Sequence, residues 1–196
     1  DIQGKNFILA CGGLGNPKLL LQNKIGIGSP VGNYFMEHPH LYNVASMEID
    51  ESAINPLKKA DKVSHALQLS DDYCLEHGLL NMTADIRLHP KEKRLFLGQE
   101  KTAYVSSVTV RAEMPALMRN KVTLTDKKDY LGQAIPHVDF SFSSDELIKK
   151  SWSALSKELV RSGIGRASST LNPEVKMTGG GHYIGTTRMG LNPQDS

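Results

Sequence analysis

The sequence predicts an α+β fold in which an antiparallel sheet occupies the middle of the chain and helices flank it. Apolar and polar residues alternate in several short runs between residues 41 and 142, which is the period of half-buried strands. An apolar stripe with helical period lies between Ile148 and Leu159. Near the start, an apolar run leads through glycines into another helical segment, a combination typical of α/β units.

The first element is a strand–turn–helix unit. Residues 5–10 predict a short buried strand, and Cys11-Gly12-Gly13 predicts the turn that follows it. Asn16 is a favourable N-cap and Pro17 suits the first helical position, so we expect the helix to begin there. The glycines, serine and proline of residues 26–32 predict a loop.

The middle of the chain predicts one antiparallel sheet with one solvent-exposed face. Its strands are expected in the alternating runs at residues 45–49, 80–86, 108–112, 122–124 and 138–142. Residues 126–132 would join the last two runs as a hairpin connection. A short helix is predicted over residues 70–77, ending at Gly78, and the polar residues 50–63 are expected to form an exposed loop.

A long helix follows, predicted by the apolar stripe of Ile148, Trp152, Leu155 and Leu159. Ser143 and Glu146 have the spacing of a capping box at its start, and Gly163 provides its stop. Residues 163–181 are rich in glycine and predict loops.

Composition excludes several classes of protein. The 196 residues have a formal net charge of +2, with lysine and arginine spread along the chain, so we expect no nucleic-acid partner. No apolar run approaches the roughly 20 residues that cross a bilayer, so we expect no membrane span in this segment. Cys11 and Cys74 could form one bridge, but two free thiols are the simpler expectation.

Two glycine-rich segments could carry chemistry. The turn from Leu9 to Pro17 would let a phosphate or nucleotide approach a helix N-terminus, although Gly13 and Gly15 do not complete a Gly-x-Gly-x-x-Gly pattern. A tight turn that needs glycine for its backbone shape explains the same residues, and the pattern alone favours that explanation.

The second segment surrounds His182, with Gly179-Gly180-Gly181 before it and Gly185-Thr186-Thr187 after it. Histidine as a class titrates near neutral pH and can accept an alcohol proton there. The glycines would let a planar cofactor approach the backbone, and the threonine hydroxyls could orient a ligand. A histidine in a glycine-rich surface loop is the alternative, and the segment alone does not separate the two.

A third segment, Glu37-His38-Pro39-His40, hints at a metal because His38 and His40 would share one face of an extended chain. Metal sites usually need three or four protein ligands, and the sequence suggests no further one. We therefore favour a polar start of a strand, and we expect no metal site.

Taken together and in this order, these segments resemble the glucose-methanol-choline (GMC) family of flavin oxidoreductases. Residues 8–21 look like that family's second flavin-binding segment, and residues 31–39 are similar to the segment after it. Residues 182–190, His-Tyr-Ile-Gly-Thr-Thr-Arg-Met-Gly, look like its active-site histidine loop. Gly12-Gly13 with Asn16-Pro17, and residues 35–40, are most similar to its bacterial sugar and polyol dehydrogenase-like branch.

The resemblance implies FAD as cofactor and the oxidation of an alcohol or sugar CH–OH group, with a small-molecule alcohol or sugar as substrate. It implies that His182 is the catalytic histidine. It also implies that the cofactor contacts Ala10, Cys11, Gly12, Gly13, Asn16, Gly185 and Thr186. The implied domains are part of an FAD-binding domain over 1–40, a substrate domain over 41–165, and a return to the FAD domain over 166–196.

Two parts of the family pattern are absent from the sequence: the Gly-x-Gly-x-x-Gly dinucleotide strand and the later segment with a second catalytic His or Asn. We therefore expect the chain to be a C-terminal-half fragment of an FAD enzyme. Alone, it is expected neither to hold FAD tightly nor to turn over.

Two other function classes stay open: a non-catalytic binding or structural module derived from the family, and a nicotinamide-dependent dehydrogenase that uses the first glycine turn. The sequence leaves open the substrate, the electron acceptor, the oligomeric state, and a cytoplasmic or periplasmic location.

Overall fold

A computed structural model describes residues 3–54, 65–86, 91–142 and 145–195. The chain mixes helices with antiparallel strands, so the prediction of an α+β fold with an antiparallel sheet is confirmed. It divides into two compact units. The first takes Asp1–Glu37, Pro115–Ser143 and Gly181–Ser196, and the second takes His38–Met114 and Ser144–Gly180. The predicted hairpin at 122–142 thus belongs to the first unit.

Strands outnumber helices in the described part of the chain. The helices are α1 (Gly12–Gln22), α2 (Glu51–Ile54), α3 (Asp71–His77) and α4 (Asp145–Arg161). The strands are β1 (Pro39–Asp50), β2 (His65–Leu67), β3 (Met82–Ile86), β4 (Lys91–Phe96), β5 (Gln99–Ala112), β6 (Lys121–Lys128), β7 (Ala134–Asp139), β8 (Gly165–Ala167) and β9 (Thr178–Gly179).

In the second unit, the described strands form a seven-stranded sheet in the order β2-β3-β5-β1-β8, with β4 paired to β5 and β9 paired to β1. These pairings are antiparallel. The predicted alternation is confirmed in β3, where Met82, Ala84 and Ile86 are buried and the residues between them are partly exposed. The same inward face of the sheet supplies Val108 and Val110, which have no exposed surface.

Helix α4 packs its apolar stripe into the core of the second unit, as the sequence predicts. Its apolar stripe is buried in one cluster with the inward residues of the sheet and comprises Ile148, Trp152, Leu155 and Leu159. The indole N–H of Trp152 donates to the carbonyl of Ser168 at 2.9 Å, so the largest core side chain leaves no polar atom unsatisfied. The expected capping residue Ser143 lies outside the described residues.

Helix α3 is also where the sequence predicts it, because its signals are local. The Ser70 hydroxyl accepts the Tyr73 N–H at 3.3 Å, and Gly78 ends the helix in the left-handed conformation at φ 58°. In the expected loop at 50–63, residues 51–54 form the short helix α2, and residues 55–63 lie outside the described residues.

The first unit corrects the prediction of a single sheet. Strands β6 and β7 pair with each other as a separate two-stranded sheet. The strand predicted to run to residue 142 ends at Asp139, because Phe140 turns to pack edge-on against Phe35 with ring centroids 5.3 Å apart. The hairpin connection itself is confirmed, with Lys128 paired to Ala134.

The prediction of a buried strand at residues 5–10 is wrong. The segment pairs with no described strand, and Phe7 and Ile8 are 73% and 89% exposed. Strand pairing needs a partner edge, and a local apolar pattern cannot show whether one is present. In the described residues, no helix combines the length and apolar character that a membrane crossing would need.

The predicted start of the first helix is also wrong, by five residues. Helix α1 begins at Gly12, and Pro17 lies inside it. Asn16 does not cap the helix; its side-chain oxygen instead accepts the N–H of Cys11 at 2.8 Å. Proline has no N–H, so the turn containing Pro17 cannot form the usual bond back to the carbonyl of Gly13.

Candidate functional site

An open cavity of about 490 Å³ lies in the first unit, a size typical of small-molecule sites. One wall is the first turn of α1, and the other is the loop after His182. The lining residues are Gly12, Gly13, Asn16, Met36, Tyr183, Ile184, Gly185, Thr186, Thr187, Arg188 and Met189.

The two walls meet at Gly13 because that position has no side chain. A Cβ atom there would lie 2.8 Å from the carbonyl carbon and oxygen of Tyr183, closer than side-chain atoms tolerate. The hydroxyl of Thr186, 1% exposed, donates to the Gly13 carbonyl at 2.7 Å. This is the carbonyl that Pro17 leaves without its helical partner, so the hydroxyl satisfies a partly buried acceptor.

The loop is held from its other side by residues 32–36. Met36 and Ile184 exchange backbone hydrogen bonds at 2.8 and 3.1 Å, and the N–H of Gly32 donates to the Thr186 carbonyl at 2.9 Å. Gly185 has φ 102°, and a Cβ there would overlap the carbonyl oxygen of Tyr34. The glycine of this loop is therefore required by its backbone conformation and by a close approach.

Glu37 is a site residue that was not predicted from the sequence. Its side chain is buried, with the residue 5% exposed, and its carboxylate accepts the N–H groups of Gly181 at 2.8 Å and of His182 at 3.2 Å. The available signal was an acidic residue directly after the apolar run Tyr34-Phe35-Met36. Only the contact with a segment far along the chain gives that carboxylate a role.

The predicted site residues divide into three groups. Gly12, Gly13, Asn16, Gly185 and Thr186 line the cavity together. Ala10 and Cys11 are exposed and are not among its lining residues, although the Cys11 N–H bonds to the cavity residue Asn16. The third group is His182 alone.

His182 is exposed and directly precedes the cavity residue Tyr183. Its imidazole is reachable from solvent, and its backbone is tied to Glu37. Thr186, by contrast, donates its hydroxyl proton to the Gly13 carbonyl, which leaves this hydroxyl only its acceptor side for a ligand.

Positive charge borders the cavity. The guanidinium of Arg188 lies 4.0 Å from the centroid of the Tyr34 ring, and its Nε and Nη2 atoms donate to the Asp195 carbonyl at 3.3 and 2.9 Å. The first turn of α1 contains no acidic residue, so its N–H groups keep their partial positive charge. Arg188 was not predicted as a site residue from the sequence.

In the second unit, His38 and His40 do lie side by side. Nε2 of His40 and Nδ1 of His38 are 2.9 Å apart, and Nδ1 of His40 is 2.9 Å from the Tyr42 hydroxyl. Both ring nitrogens of His40 are thus engaged with protein groups. Among the described residues, no group of three or more His, Cys, Asp or Glu side chains has the arrangement of a metal site.

The two cysteines are free thiols, as the sequence predicts. Cys11 is exposed, whereas Cys74 is buried in α3. Burial, together with the carboxylates of Asp71 and Glu113, raises the pKa of the Cys74 thiol and keeps it protonated at neutral pH.

Comparison with known proteins assigns the chain to no family. No protein-family model matches the chain, and no curated protein matches it significantly.

Proposed function

We propose that this chain is part of an FAD-dependent oxidoreductase that oxidises an alcohol or sugar CH–OH group, with His182 accepting the hydroxyl proton. The supporting observation is the cavity of the first unit. Residues 12, 13 and 16 are distant in the sequence from residues 185 and 186, yet both groups were assigned to the cofactor by resemblance alone and line the same cavity. His182 directly precedes Tyr183, which lines the same cavity.

The cavity residues fit one part of a dinucleotide. Gly12 has φ 72°, and no atom lies within 4 Å of the position that a Cβ would take, so a ligand can approach the bare backbone there. The start of α1 and the guanidinium of Arg188 would favour a diphosphate. Gly12, Gly13, Asn16 and Gly185 would contact the cofactor on this side.

The chemistry divides between cofactor and protein. When bound, the flavin supplies the acceptor for the two electrons that the alcohol loses. His182 takes the hydroxyl proton and holds it on its imidazole. Loss of that proton raises the electron density on the carbinol carbon and so favours hydride loss from it. General bases of this kind contribute about 100- to 10,000-fold to a rate.

Blocking the cavity tests the cofactor assignment. Thr187→Trp places a large side chain at an exposed cavity residue, and Thr170→Trp makes the same change at an exposed residue of the second unit. In the native protein we expect Thr187→Trp to lower the bound flavin, measured after acid release, by about tenfold, which corresponds to 1.4 kcal/mol of binding. Thr170→Trp should leave it unchanged.

Other outcomes would contradict the proposal. A native protein that contains no flavin and binds none on titration would favour the non-catalytic module. A native protein that binds a nicotinamide dinucleotide instead of FAD would favour the nicotinamide-dependent dehydrogenase.

A further inference from the structure

We propose that Glu37 is a positioning residue that holds the imidazole of His182 in its reactive place; this inference rests on the proposed function. Each of its carboxylate oxygens accepts a different backbone N–H, from Gly181 at 2.8 Å and from His182 at 3.2 Å. The group is buried, so water competes little for these bonds.

The segment before His182 needs such a restraint. Residues 179–181 are glycines, and Gly181 has φ 78° with no atom within 4 Å of the position that a Cβ would take. A run of glycines has no side chains to pack, and each residue can adopt many backbone conformations. The pairing of β9 with β1 holds Gly179, and the carboxylate of Glu37 holds Gly181 next to the histidine.

The segment after His182 is restrained by the neighbouring residue. Met36 pairs with Ile184 through two backbone hydrogen bonds, while Glu37 binds residues 181 and 182. Two consecutive residues therefore hold the backbone on both sides of one histidine. Charge-assisted bonds to backbone N–H groups are about twice as strong as neutral ones, and the 2.8 Å bond from Gly181 has the length typical of them.

This role makes a prediction that general stabilisation does not. A positioning residue acts through His182, so its loss should matter only while His182 is present. Displacement of a reacting group by about 1 Å can cost about 100-fold in rate. We expect Glu37→Gln, which keeps the size but not the charge, to slow flavin reduction at saturating alcohol by about 10- to 100-fold.

The experiment is a double-mutant cycle in the native FAD-loaded protein, with flavin reduction followed after anaerobic mixing with alcohol. Glu37→Gln should lower the limiting rate but neither the flavin content nor the substrate concentration for half-saturation. In the His182→Ala background it should cause no further loss. Glu37→Asp, which restores two carboxylate oxygens, should recover part of the rate.

The matched control is Glu113→Gln, because Glu113 also accepts a backbone N–H, that of Asn81 at 3.2 Å, but in the second unit. It should leave the limiting rate unchanged. An equal loss from Glu37→Gln with and without His182 would overturn the inference, as would a parallel loss of flavin.

Hydrogen exchange separates failure of this inference from failure of the proposed function. Loss of the carboxylate should speed exchange of the Gly181 and His182 amides by about tenfold or more. If the wild-type protein is reduced by alcohol but both amides exchange at the same rate in Glu37→Gln, the positioning role alone is wrong. If no alcohol reduces the flavin of the wild-type protein, the proposed function is wrong and this role falls with it.

Discussion

The hydroxyl of Thr186 allows a sharp test of how the cavity is built. Thr186→Val keeps the shape of the side chain but removes the donor to the Gly13 carbonyl, a bond of 2.7 Å from a residue that is 1% exposed. Because Pro17 offers no N–H, that carbonyl would then lack both its usual helical bond and the bond from the hydroxyl. Leaving an acceptor unsatisfied in this partly buried position is expected to cost about 1–3 kcal/mol.

A second substitution shows whether the proline is the reason. Pro17→Ala restores an N–H that can donate to the Gly13 carbonyl, four residues earlier in α1. In that background we expect Thr186→Val to cost less than about 1 kcal/mol, because the acceptor keeps a partner. The two substitutions should therefore be strongly non-additive, as expected for residues that share one partner.

Hydrogen exchange of the α1 amides in the native protein measures this cost as the free energy of local opening. A change of 1–3 kcal/mol corresponds to about 5- to 150-fold faster exchange. The matched control is Thr125→Val, since that hydroxyl donates to the Ile135 carbonyl at 2.9 Å in the exposed hairpin of the same unit. The cost of Thr125→Val should be the same whether residue 17 is proline or alanine. Equal costs of Thr186→Val in both backgrounds would refute the reasoning.

Three further substitutions test other parts of the fold. The side-chain bond from Lys101, at 2.6 Å, lowers the pKa of Asp50, so its stabilisation is present above the unfolded-state pKa of about 3.9 and is lost as pH falls through the folded-state pKa. Asp50→Asn should lower the unfolding free energy at pH 7, measured by urea titration, by about 1–3 kcal/mol. Below about pH 4, the unfolding free energy of this variant should fall less steeply with decreasing pH than that of the wild type. Trp152→Ala should lower it by about 3–5 kcal/mol, followed by circular dichroism, because Trp152 is 1% exposed in the core. Gly185→Ala should speed amide exchange across the His182 loop by roughly tenfold, because φ 102° and the Tyr34 carbonyl both oppose a side chain.

Each of these has a contrary result. If the unfolding free energy of Asp50→Asn depends on acidic pH as steeply as that of the wild type, the Lys101 contact does not lower the pKa of Asp50. A loss below about 1 kcal/mol in Trp152→Ala would contradict its place in the core. Wild-type exchange in Gly185→Ala would mean that the loop accommodates a side chain.

Local signals predicted the helices α3 and α4 and part of the sheet of the second unit, whereas β8 and β9 lie in the segment 163–181 that was expected to form loops. The N-cap Ser70, the left-handed Gly78 and the apolar stripe of α4 act within one or two helical turns, so the neighbouring sequence suffices to recognise them. The alternating runs likewise predicted β3 and β5, because burial of one face imposes a period of two along each strand.

Contacts between distant segments explain what the sequence could not predict. Helix α1 starts early because Asn16 bonds to Cys11 and Thr186 takes the free carbonyl of Gly13, and the second of these partners lies far along the chain. Sheet membership of the β6–β7 hairpin depends on which edge it meets, which no local pattern encodes. Glu37 has a role only through its contact with the His182 loop.

The rate of flavin reduction by alcohol tests the central claim most directly. Wild-type native protein, His182→Ala and His137→Ala would be mixed anaerobically with a panel of alcohols and sugars while flavin absorbance is recorded; His137 is an exposed histidine of the same unit. If His182 is the general base, His182→Ala slows flavin reduction by about 100- to 10,000-fold, whereas His137→Ala leaves the rate unchanged. Reduction of His182→Ala at the wild-type rate would contradict that role.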